Sequence, residues 1–133
     1  MLRVSGYLLI AISIIHVLVG ILICAVPLAD IAHNGIFNAV SPDPLSPNFD
    51  REAAFWFMMF APLLFAIGQL CCWAEVQRLT LPAFLGWNLL AVSLVGILLQ
   101  PISGFWLLIL PAILIVLADR RANNRTSSMT IDR

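Results

Sequence analysis

The chain of 133 residues is 62% hydrophobic and 11% charged, carries no net charge at pH 7, and has a mean hydropathy of +1.01. A soluble domain of this length lacks the polar surface to cover so much apolar side chain, so the composition points to an integral membrane protein. Its few arginines are scattered along the chain; phosphate neutralisation needs clustered cations, so a nucleic-acid partner is excluded.

The expected fold class is all-α: an integral membrane four-helix bundle of two antiparallel hairpins, with a short interfacial helix in the first external loop. Four apolar segments, 4–26, 53–73, 81–99 and 102–118, each approach the roughly 20 residues that cross a bilayer core as a helix. Helices are the open-chain solution there, because lipid offers backbone groups no other partner. Together the segments make one transmembrane domain, 1–118, followed by a polar cytoplasmic tail, 119–133. The first segment is too long for a signal peptide and no small-x-small cleavage pattern closes it, so it is expected to be a span. With the N-terminus inside, Arg3, Arg78, Arg120, Arg121, Arg125 and Arg133 fall on the cytoplasmic side and only Arg51 outside. The positive-inside rule therefore orients both termini toward the cytoplasm of a multi-pass protein of the cell (inner) membrane.

The first span carries Gly6, Ser13, His16, Gly20 and Cys24 on one face. Small residues let helices approach closely in lipid, so this stripe reads as a packing seam. His16 lies near mid-span on that face, pointing into the bundle. Its imidazole needs hydrogen-bond partners, for which Asn88, Ser13, Ser93 and Gln69 are the candidates by depth. Two readings stand side by side: a histidine that pins helix register, and a ligand contact, since intramembrane ionisable groups are functional candidates.

The external loop, 27–52, begins PLADIAHNGIFNAV, where Leu28, Ile31, Ile36 and Val40 at near-helical spacing predict a short interfacial helix. SPDPLSP stops it. Asn48 or Asp50 can cap the next helix, and Asp50 and Glu52 suit its positive end. Arg51 and Glu52 are candidates for an outer gate, turned under the interfacial helix; the alternative is a solvated, self-paired loop.

The second span repeats the small stripe at Ala54, Ala61, Gly68 and Cys72, and the third at Gly86, Ser93, Gly96 and Gln100. Pro82 opens the third span, and QPISG is so short a corner that the third and fourth spans must form a hairpin. Trp56, Trp73 and Trp106 suit the interfacial aromatic belts, whereas Trp87, next to Asn88, lies deeper and is the tryptophan placed for ligand stacking. GYLLIAISI at 6–14 aligns with GWNLLAVSL at 86–94, a weak internal repeat. The tail lacks apolar periodicity and is expected to be disordered or associated with the membrane surface. Cys24 and the pair Cys71-Cys72 fall at opposite ends of their spans, too far apart for a disulfide within the chain. No Cys-x-x-Cys-His exists for covalent haem; no cofactor, metal site or catalytic residue is expected.

FWFMMFAPLL, LPAFLGWNLL and QPISGFWLLILPA, with the Gly-Tyr start and His16, resemble a family of small bacterial four-span membrane proteins catalogued as a domain of unknown function. The resemblance covers roughly residues 5–117 and implies fold and location but no activity. Small multidrug transporters are similar in size but use a carboxylate in the first helix, where this chain has none. Three functions stay open. The first is a binding or structural membrane component that accommodates a lipid or small apolar ligand near His16, Asn88, Trp87, Ser13, Ser93 and Gln69. The second is a subunit of a homo-oligomeric transporter or channel, and the third a membrane enzyme acting on a lipidic substrate.

Overall fold

The computed structural model describes residues 1–43 and 45–131, side chains included up to Asn124. Five helices follow one another: α1 (Leu2–Ile23), α2 (Ala25–His33), α3 (Phe49–Val76), α4 (Ala83–Leu99) and α5 (Trp106–Ile131). Among the described residues the fold is all-α, with no strand. By length and composition α1 and α3 are able to cross a membrane, and α4 is a shorter apolar helix.

Helix boundaries follow from local chemistry. Pro27 has no N–H for the carbonyl of Ile23, so the first helix breaks at Cys24 and α2 starts at once, earlier than the sequence suggested. α2 ends in a Schellman turn: Gly35 N–H donates to Ala32 O (3.3 Å) and Ile36 N–H to Ile31 O (3.3 Å), with Gly35 at φ +86°. Ile36 and Val40 were expected on that helix and lie beyond it, because Gly35 turns the chain left-handed five residues before Val40. Asn48 caps α3, its Oδ1 accepting from Arg51 N–H at 3.2 Å. The tail differs most from expectation. No glycine or proline follows Ala118, Asn123 reaches back one turn to Asp119 (3.4 Å), and α5 runs on to Ile131. The expected tail residues 132–133 lie outside the described residues.

The helices form two compact units, Met1–Ile12 with Phe65–Arg133, and Ser13–Leu64. In the first, α4 packs on α5, and the pairing of Gly86 with Ala112 and Val116 and of Gly96 with Phe105 makes them antiparallel. A Cβ on Gly86 would stand 2.7 Å from Ala112 O. The first turns of α1 meet the end of α3 in the same manner: a Cβ on Gly6 would stand 2.7 Å from Gly68 O and 2.5 Å from Cys72 Sγ. Glu75 accepts Arg3 N–H at 2.9 Å, and Ser5 Oγ donates to Pro111 O on α5 at 2.9 Å. Within this unit Gly6 of the first stripe meets Gly68 of the second, and Gly86 and Gly96 of the third face α5, although Gln100, assigned to the third stripe, is exposed.

The buried core is mainly apolar, from Leu2 and Leu9 to Ile115 and Val116, and much of the surface is apolar as well. Ser5, Ser13 and Ser93 are buried, while Leu18, Leu22, Leu98 and Leu99 are exposed, the last two at 79% each. Water penalises an apolar surface of this extent.

Candidate functional site

His16 and its surroundings belong to the second unit, Ser13–Leu64. There α1 and α3 run antiparallel, with Ser13 Oγ donating to Ala61 O at 2.8 Å and His16 Nε2 donating to Phe57 O at 2.9 Å. A carbonyl only accepts, so Nε2 carries a proton. The imidazole also stacks on the Phe57 ring, 4.0 Å between centroids and 14° between planes, with Phe60 tilted at 5.5 Å. Gly20, one turn on, leaves room for Phe57 and Met58, which a Cβ would meet at 3.0 Å and 2.5 Å.

Both acceptors lie in the turn and a half before Pro62, which has no N–H to offer the carbonyl of Met58. The sequence reading sought a side-chain partner for His16, and the structure gives it a backbone carbonyl instead. Ser13 is engaged with Ala61 O and Ser93 with Leu89 O in its own helix. Asn88 and Gln69 are exposed, and Trp87 is 50% exposed. A backbone acceptor leaves no trace in residue type, which is why only the small-residue stripe pointed this way.

A cleft of about 900 Å³ opens in the same unit between α2 and the start of α3. Its apolar lining includes Ile23, Val26, Pro27, Ala53, Ala54 and Phe57, and its polar lining Asp30, His33, Asn48, Asp50 and Arg51. Phe57 thus belongs both to the cleft and to the histidine stack. Arg51, on the first turn of α3, is part of the polar lining, with its side chain only 12% exposed. Nε donates to Asp30 Oδ2 at 2.6 Å and Nη1 to Ala39 O at 2.6 Å. One guanidinium therefore ties α3 both to α2 and to the strained loop that follows it, where Ile36 and Asn38 take φ of 63° and 54°.

The Arg51 hydrogen bond holds the Asp30 carboxyl below the ordinary carboxylate range, reinforced by the Asn34 amide. Asn34 Nδ2 donates to Asp30 Oδ1 at 3.1 Å, so both carboxylate oxygens are engaged. A guanidinium has five N–H donors, and Nη2 has no hydrogen-bond partner among the described residues. Of the two residues suggested for an outer gate, Arg51 engages α2, whereas Glu52 is half-buried and outside the cleft lining. Asp30 stands in the stretch PLADIAHNGIFNAV, where nothing singles it out as the partner.

Fold and site together define a small all-α protein with two helices long and apolar enough to cross a membrane and a cleft closed on one side by an Arg51–Asp30 pair. The chain belongs to a family of unknown function (DUF6463), whose model matches residues 1–122, in keeping with the resemblance read from its motifs. No curated protein and no solved structure matches it.

Proposed function

We propose that the protein is a multi-pass component of the cell membrane, with both termini cytoplasmic, that accommodates a lipid or another small apolar molecule in the cleft between α2 and α3. The membrane reading is supported by the apolar surface, with Leu18, Leu22, Leu98 and Leu99 outside, an arrangement stable where lipid rather than water is the solvent. α1 and α3 span in this reading. α4 and the apolar start of α5 complete a four-helix bundle, with α2 at the interface and Arg120 and Arg121 on the cytoplasmic side.

The observation that carries the binding reading is the cleft itself, whose lining joins apolar residues such as Ile23 and Phe57 to the charged Asp30, Asp50 and Arg51. Such a pairing suits a molecule with a tail and a polar head. His16 then supports the site from behind, fixing Phe57, and does not touch the ligand. The test is native mass spectrometry of protein released from lipid nanodiscs. Wild type should retain a defined adduct, and Ala53→Trp, which fills the cleft from an exposed position, should lose it while remaining folded. Bare protein in both cases refutes the reading.

A further inference from the structure

The polar lining of the cleft has a composition that selects among head groups, and we infer that its occupant is a zwitterionic amphiphile, with a phosphate on Arg51 and an ammonium on Asp50. This inference rests on the binding reading above and adds the chemistry of the head. Arg51 is the lining's one permanent cation, mostly buried, with its outer nitrogen Nη2 unbonded among the described residues. A half-desolvated guanidinium with open donors is best met by an oxyanion, which takes parallel N–H bonds from the planar fork.

Charge balance decides what else the head must carry. Asp30 and Asp50 both line the cleft against the single guanidinium, and Asp30 is already held by Arg51 and Asn34. A purely anionic head would add a third negative charge beside Asp30 and Asp50, against which Arg51 is the one permanent cation of the lining. A purely cationic head would leave the open Arg51 donors without an acceptor. A head with both signs meets both demands, its phosphate accepting from Nη2 and its ammonium facing the exposed Asp50 carboxylate one residue earlier on α3. The apolar lining, Ala53, Ala54, Val26 and Phe57, then takes the start of the acyl chain.

Short-chain phosphatidylethanolamine, short-chain phosphatidylglycerol, short-chain diacylglycerol and chainless O-phosphoethanolamine are titrated against the purified full chain in detergent by calorimetry. The expected order in wild type is phosphatidylethanolamine at least tenfold tighter than each of the other three. Arg51→Gln should weaken phosphatidylethanolamine at least tenfold. Asp50→Asn, at an exposed position where folding is not at issue, should remove or reverse the preference over phosphatidylglycerol. Unchanged affinity in Arg51→Gln, or a wild type that prefers phosphatidylglycerol, overturns the inference. Diacylglycerol binding as tightly as phosphatidylethanolamine would leave the cleft a binding site and refute only the head-group assignment. O-phosphoethanolamine binding as tightly as the lipid would assign the cleft to a soluble zwitterion, overturning the amphiphile. Failure of every probe to bind would overturn the cleft reading along with it.

Discussion

Replacing His16 by leucine roughly preserves side-chain bulk while removing both of its specific contacts, the 2.9 Å hydrogen bond to Phe57 O and the 4.0 Å ring stack. The magnitude follows from the two losses. An interhelical hydrogen bond in lipid is worth about 0.6 kcal/mol, and an aromatic stack adds about 0.5–1.5 kcal/mol beyond area. Ala61 still offers its N–H to Phe57 O from four residues along α3, so leucine orphans no carbonyl. The expected loss is therefore about 1–2 kcal/mol. His16→Asn keeps a donor but not the ring and should lose about half as much. Denaturant titration in bicelles, followed by tryptophan fluorescence, measures both. A leucine variant as stable as wild type would show that the histidine pins nothing, and a loss above about 4 kcal/mol would mean it meets a demand other than these two contacts.

At Gly68, valine would press its Cβ to 2.9 Å from Gly6 O and 2.8 Å from Ile10 Cγ1; the expected cost is about 1–3 kcal/mol, read as a lower melting temperature in detergent. Ser5→Ala and Ser13→Ala each remove a hydroxyl bonded to a backbone carbonyl and should each cost about 0.6 kcal/mol; the double variant should lose the sum, as independent sites do. The Asp30 link should weaken on the acid side only. Because the folded carboxyl is depressed, its contribution is fully present above the ordinary carboxylate value of about 3.9 and is lost as pH falls through the lower folded value. Limited proteolysis of the loop after α2 should accelerate below that pH in wild type. In Asp30→Asn it should be fast already at neutral pH, with little further dependence.

The helices themselves were legible, because long apolar runs and small residues every seventh position leave few other structures open to them. Gly6, Ser13, Gly20, Ala54, Ala61 and Gly68 all sit at buried positions where the stripes put them. Boundaries were less legible where one residue acts at a distance: Pro27 breaks the helix four residues upstream, at a carbonyl the eye does not look for. Gly35 had the opposite effect, cutting short an apolar periodicity that continued in the letters through Ile36 and Val40. Disorder, one of the two readings of the tail, took polarity for lack of structure, although 119–131 contains nothing that stops a helix and α5 runs to Ile131. Of the site, Arg51 was noticed as the lone external cation. Its engagement with Asp30, 21 residues earlier, depends on how α2 folds back, and no local pattern encodes that.

The seam between α1 and α3 has a property that its small residues cannot resolve alone. Gly6, Ser13 and Gly20 recur every seven residues, and so do Ala54, Ala61 and Gly68 on the opposing helix. Two such rulers slid past each other by one repeat, roughly 10 Å, would again set small against small, and packing would barely distinguish the mistake. His16 falls outside that repeat. It is a single graduation mark on an otherwise uniform scale, lined up against the rings of Phe57 and Phe60. An imidazole that holds this register would remove the translational ambiguity that a purely small-residue interface carries into assembly.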